Sequence, residues 1–319
     1  IPVENGTLSD FATNSGDAKV YTASFTPTAE GTCNIDVAAS TFTDTAGNSN
    51  TAANQFTWTY DSTSPTMTIT SSILSTGSTS NLSSIPLTFT SSEDTTSFTQ
   101  NDITVENGTL SDFATTEDGK VYTASFTPTA EGTCNIDVAA DTFTDMVGNN
   151  NTAATQFTWT YDSTKPTMTI TSLALLTGAT SNLSSIPLIF TSSEETTSFS
   201  QNDITVENGT LSDFATTSGD AKIYTASFTP TAEGTCNIDV TADTFTDMVG
   251  NSNTAATQFT WTYDSTRPTM TITSSTLSTG SISNLSSIPL TFTSSENITS
   301  FAQDDITTEN GTLSDFATT

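Results

Sequence analysis

The stretch Gln156-Phe157-Thr158-Trp159-Thr160-Tyr161, followed by Asp162-Ser163-Thr164-Lys165-Pro166 and Thr167-Met168-Thr169-Ile170-Thr171, decides the fold. Phe157, Trp159 and Tyr161 fall on one face, and Gln156, Thr158 and Thr160 on the other. Period two over six residues is the mark of a half-buried strand. The proline-bearing linker then closes one unit, and the run after it opens the next. A polar loop, Asp145-Met146-Val147-Gly148-Asn149, lies ahead of the strand. The same words stand at Asp44 to Ile69 and at Asp247 to Ile272, so copies of one unit are strung through this joint.

Working outward, Cys33, Cys134 and Cys236 recur at about 101 residues, as do Trp58, Trp159 and Trp261. That period is a whole domain, too long for a solenoid turn. Boundaries at the linker prolines Pro65, Pro166 and Pro268 give a partial unit over 1–64, complete units over 65–165 and 166–267, and a partial unit over 268–319. The first fragment lacks its opening strands and the last its closing strands. Ile1-Pro2-Val3-Glu4-Asn5-Gly6 matches the middle of a repeat, as expected of a window on a longer chain.

The second unit predicts seven strands. They are Thr66 to Ser71; Ile85 to Ser91, with Ile85, Leu87 and Phe89 inward; a stretch near Phe98 to Glu106; one bearing Leu110 and Phe113; one bearing Tyr122, Ala124 and Phe126 and ended by Pro128; one with Cys134, Ile136 and Val138 inward; and the tryptophan strand. Asn107-Gly108 is a strong hairpin signal, since both residues tolerate positive φ. Glu117-Asp118-Gly119 reads as a polar turn. Short strands with turn signals between them and no helical period mean an all-β fold: tandem seven-stranded immunoglobulin-like β-sandwiches.

Composition narrows the function. The formal charge is −30 over 319 residues, with five lysines and arginines against 35 acids and no histidine. Such an excess repels nucleic acid and anionic membrane and attracts divalent cations. Without histidine there is no Ser-His-Asp triad and no His-bearing metal site. No apolar run in this window approaches the roughly 20 residues that span a bilayer. The single cysteine of each unit faces inward, where a small buried hydrophobe is expected.

Phe98-x-x-x-Asp102-Ile103-x-Val105-x-Asn107-Gly108-x-Leu110, Tyr122-Thr123-Ala124-x-Phe126-x-Pro128, Asp145-x-x-Gly148-Asn149 and Asp162-Ser163-Thr164-x-Pro166 together resemble the bacterial-type Ig-like repeats of large secreted adhesins. The likeness covers the entire repeat and returns in each copy. It implies spacer domains outside the cell and, as in the similar cadherins, calcium at the domain joints. This linker holds one aspartate, Asp162, where cadherin linkers hold several.

Strand directions bring four residues to one pole. The tryptophan strand ends at the joint, the second strand returns to it, and the loop after the cysteine strand lies there too. Asp61, Glu93, Asp145 and Asn149 are therefore expected to converge, all hard oxygen donors suited to Ca²⁺. The next joint offers Asp162, Glu194, Asp247 and Asn251, and the third Asp264 and Glu296. The same residues also serve as turn formers that need no ion.

Sequons mark Asn81, Asn182 and Asn284 just before the second strand, and Asn150 and Asn297 elsewhere. They are candidate glycan acceptors. The adjacent pairs Glu93-Asp94 and Glu194-Glu195 lack the cleft that would place carboxylates on opposite sides of a sugar. The chain reads as no enzyme. The leading expectation is an extracellular structural protein, a stalk or filament whose partners are other copies of itself. The alternative is an adhesin module that binds carbohydrate or protein at a cell surface.

Overall fold

The structure is a computed structural model that describes residues 1–13, 16, 17, 19–95, 97–116, 119–217 and 221–317. Of the expected turn Glu117-Asp118-Gly119, the first two residues lie outside the described set. The first repeat contains β1 (Val3–Glu4), β2 (Gly6–Thr13), β3 (Tyr21–Pro27), β4 (Gly31–Ile35) and β5 (Phe56–Tyr60). The second contains β6 (Met67–Thr70), β7 (Thr79–Ser80), β8 (Ile85–Ser91), β9 (Ile103–Glu106), β10 (Gly108–Thr115), β11 (Val121–Pro128), β12 (Gly132–Val138) and β13 (Phe157–Tyr161). The third repeats the set as β14 (Met168–Ser172), β15 (Thr180–Ser181), β16 (Ile186–Ser192), β17 (Ile204–Glu207), β18 (Gly209–Thr216), β19 (Ile223–Pro230), β20 (Gly234–Val240) and β21 (Phe259–Tyr263). The last holds β22 (Met270–Thr273) and β23 (Thr291–Ser294).

The chain divides into two compact units, Ile1–Thr164 with Val249–Asn251, and Lys165–Met248 with Ser252–Thr319. In the first unit the second repeat forms two four-stranded sheets, ordered β10-β11-β8-β6 and β7-β13-β12-β9. In the second unit the third repeat forms sheets ordered β14-β16-β19-β18 and β15-β21-β20-β17. Register sets core residues side by side: Tyr122 opposite Phe89, and the small Cys134 opposite the large Trp159. Alternation then drives one face of each sheet into a shared core. Ile85, Leu87, Phe89, Phe126, Ile136 and Trp159 are all buried in it, each worth about 1.5–3 kcal/mol of transfer free energy. This is the sandwich expected of the sequence.

Three local features depart from that expectation. An eighth, two-residue strand, β7, pairs in parallel with β13, with Thr79 opposite Thr160 and Ser80 opposite Tyr161. The opening strand therefore serves both sheets, β6 on one and β7 on the other. The strand expected near Phe98 to Glu106 begins only at Ile103, because a 3-10 turn occupies Gln100–Asp102. Asp102 Oδ2 fixes that turn by accepting hydrogen bonds from Thr99 N (2.7 Å) and Thr99 Oγ1 (2.9 Å). Phe98 still fills the core, its ring 4.9 Å from Tyr122 and 5.1 Å from Phe143. At the Asn107-Gly108 corner only Asn107 takes a positive φ, of 56°. The glycine is needed for a different reason: a Cβ on Gly108 would stand 2.1 Å from Cζ of Phe126.

Candidate metal centre at a joint of the first unit

Short contacts fix the linker before any cation is considered. Pro65 O accepts from Thr152 N (3.0 Å), and Thr66 N donates to Ser92 Oγ (3.0 Å). Asp61 Oδ1 accepts from Thr63 N at 3.1 Å, a local turn that orients the aspartate. Glu30, in the corner between β3 and β4, accepts from Ser62 N at 3.1 and 3.0 Å and also from Ser62 Oγ. Glu131 braces Ser163, and Glu233 braces Ser265, in the same way. Sequence reasoning missed these glutamates. Their signal was the repeated Ala-Glu-Gly ahead of each cysteine strand, but the serine each one holds lies 32 positions on.

The loop between β12 and β13 is built around two polar side chains. Asn151, buried, accepts from Thr142 N (2.8 Å) and Phe143 N (2.9 Å) and donates to the carbonyls of Ala139 and Thr152. Asp145, 4% exposed, accepts at Oδ1 from the backbone N–H groups of Val147, Gly148 and Asn149 at 2.9, 2.7 and 2.9 Å. Its Oδ2 accepts from Asn149 Nδ2 at 2.8 Å. Burial works against the charge of Asp145, but the bonds from Asn149, Val147 and Gly148 outweigh it and hold the carboxyl below its ordinary range.

Asp61, Glu93 and Asp145 each bring a carboxylate oxygen to one spot, all within 4.8 Å of one another. Asp61 arrives from the linker, Glu93 from the end of β8, and Asp145 from the β12–β13 loop. Burial first, then the charges of Asp61 and Asp145, push the Glu93 carboxyl up, while Lys120 pulls the other way. Three hard oxygens at this spacing suit a cation whose bonds to oxygen are about 2.3–2.6 Å long. Oδ2 of Asp145, with its single hydrogen bond, keeps capacity for such a bond. Asn149 lies at the same place but offers its nitrogen, donating to Asp145 Oδ2 and to the backbone carbonyl of Asp61 (3.3 Å).

The other expected site residues hold the same places in their own repeats. Glu194 follows β16, half-buried, and Asp247 is buried in the β20–β21 loop, both in the second unit. Asp162 follows β13 in the first unit, where its carbonyl accepts from Asn251 Nδ2 at 3.1 Å. Asp264 and Glu296 are half-buried, and among the described residues no third carboxylate joins them. Of the sequon asparagines, Asn150, Asn182, Asn284 and Asn297 are exposed and Asn81 is half-buried. Burial pushes the thiols of Cys134 and Cys236 up, which suits inert core cysteines.

The sequence model of the bacterial Ig-like domain matches the chain four times, over residues 1–60, 61–161, 162–263 and 264–319. The chain belongs to the bacterial Ig-like domain family. The last three Ig-like matches in that division begin at the linker aspartates Asp61, Asp162 and Asp264. No curated protein sequence matches these repeats. Among solved structures, the Escherichia coli adhesin FdeC is 14% identical with a TM-score of 0.35, over 82% of this chain and 84% of that one. Invasin, a bacterial integrin-binding protein, is 15% identical with a TM-score of 0.37, over 79% of this chain and 49% of its own. The D00-D0 domain of intimin is 12% identical with a TM-score of 0.33, over 61% of this chain and 98% of that one.

Proposed function

We propose that these Ig-like repeats form an extracellular stalk or filament whose joints are stiffened by calcium. The observation that carries this reading is the meeting of Asp61, Glu93 and Asp145 from three separate chain segments, within 4.8 Å. A cation bound there would neutralise three like charges and tie linker, sheet and loop together. Asp61 would hold it from the linker side and Glu93 and Asp145 from the repeat that follows. The same residue types recur in the sequence at Asp162, Glu194 and Asp247, as a repeating thread would have them. Equivalent joints are what a regular thread needs, with other copies of the chain as its neighbours. The role is structural, with no catalytic step. Sugars on the exposed Asn150, Asn182, Asn284 and Asn297 fit a surface outside the cell. Intact-mass measurement of native material tests for them, and the bare polypeptide mass would remove them.

Adding a chelator while following thermal unfolding and small-angle scattering tests the stalk reading. Loss of calcium should lower the unfolding temperature and broaden the range of joint angles; no change in either removes calcium from it. The adhesin reading rests on Leu173 and Leu176, which are 86% and 81% exposed where the second repeat has Ser72 and Ser75. Binding to immobilised glycans or host-cell protein that is lost in Leu173→Ser with Leu176→Ser would favour it.

A further inference from the structure

The sheet β14-β16-β19-β18 lies within the second unit, and its outer face combines two properties. Strands β14, β16 and β19 carry no charged residue at all, in a chain with 35 acids. Apolar side chains also stand on that face, away from the core. Ile186, Leu188 and Phe190 of β16 are buried, so Pro187 and Ile189 between them face out. Register puts Ile189 opposite Thr171 on one side and Thr225 on the other, with Ile223 two residues along. Continued one step past the Ser172–Leu188 pair, it brings Leu173, 86% exposed, beside Pro187. Diagonal neighbours across a sheet lie about 7–8 Å apart, so these apolar side chains make one patch. The patch is particular to the third repeat. Where it has Leu173 and Ile189, the second repeat has Ser72 and Thr88, and the fourth Ser275 and Thr291. Thr225, opposite Ile189, is half-buried, whereas its counterpart Thr123, opposite Thr88, is exposed.

We infer that this face is a self-association surface, on which two copies of the chain pair, third repeat to third repeat, around Leu173 and Ile189. Charge decides the occupant. A basic partner would gain nothing from three strands without a carboxylate. Two copies, each at −30, repel one another wherever their acids meet. They approach with least repulsion on a sheet face that has no charge, and a twofold axis through it sets the same apolar patch against itself. The threonines around the patch then interdigitate at the separation of packed sheets, about 10 Å. Four strands about 4.8 Å apart and about 20 Å long offer roughly 400 Å² per copy, half of the roughly 800 Å² of a standard interface. The pair is therefore weak and reversible, and it strengthens where several such contacts act at once. It rests on the stalk reading only for the supply of neighbouring copies, and it needs no calcium.

Sedimentation velocity of the 319-residue chain over a concentration series, in chelator, tests it. A dimer should form at high concentration and increase with added salt, because salt screens the repulsion and leaves apolar burial in place. Leu173→Ser with Ile189→Thr installs the residues that the second and fourth repeats carry, so the sandwich keeps its fold. This double variant should weaken the dimer about tenfold. Ile73→Ser, at an apolar residue 54% exposed in the second repeat, should leave it unchanged. A chain that stays monomeric at every concentration, or a dimer that dissolves as salt rises, would overturn the pairing. So would a dimer that the double variant keeps in full, or one that Ile73→Ser weakens equally. A monomer that captures glycan or host-cell protein through Leu173 and Ile189 would give the face to a foreign ligand and overturn it too. With chelator present throughout, failure of the calcium joint leaves all of these outcomes as they are.

Discussion

At the scale of single residues, the joint sets like charges against each other. Glu93 has a carboxyl raised above its ordinary value of 4.5, so without calcium the folded chain holds its proton more tightly than the unfolded chain does. The stability this supplies is full below pH 4.5 and is lost as pH rises through the folded value. In chelator, Glu93→Gln should flatten that decline, measured as unfolding temperature against pH. Asp145 runs the other way: lowered from 3.8, it contributes above that pH and is lost as pH falls. Asn151 is a purely structural counterpart. Asn151→Ala leaves the buried amide of Phe143 without its acceptor and removes both donations to the loop. It should cost about 3 kcal/mol in urea unfolding.

At the scale of elements, each corner is decided by what it packs against. Gly108→Ala must push the fully buried Phe126 aside and should cost about 2–3 kcal/mol by the same measurement. Gly209→Ala should do likewise through Phe228. The alternation of Phe157, Trp159 and Tyr161, and of Ile85, Leu87 and Phe89, was legible because burial acts on every second residue of a strand. β7 was not, since two residues carry no period and its bonds to β13 are backbone bonds. The turn at Gln100–Asp102 was hidden because Phe98 and Ile103 are both apolar, and an aspartate cap between them breaks the strand. The acidic site was legible through strand direction, which brings Asp61, Glu93 and Asp145 to one pole. The Glu30 brace was not, because nothing in its own neighbourhood marks Ser62 as its partner.

At the scale of the whole molecule, a net charge of −30 is a cost that a divalent cation would relieve. The relief is large where carboxylates crowd together, as at the cluster of Asp61, Glu93 and Asp145. Extracellular calcium modules bind at about 10⁻⁴–10⁻³ M. At 10 mM calcium and a dissociation constant of about 10⁻⁴ M, linkage adds roughly 2.7 kcal/mol to a site. That corresponds to a rise of about 10 °C in the unfolding of a domain near a hundred residues. Calorimetric unfolding of the 319-residue chain in 10 mM calcium against chelator, with Asp61→Ala alongside, is the direct measurement. A transition raised by about 10 °C in calcium, and raised less in Asp61→Ala, is the expected result. Superimposable transitions with and without calcium would contradict a joint held by the metal.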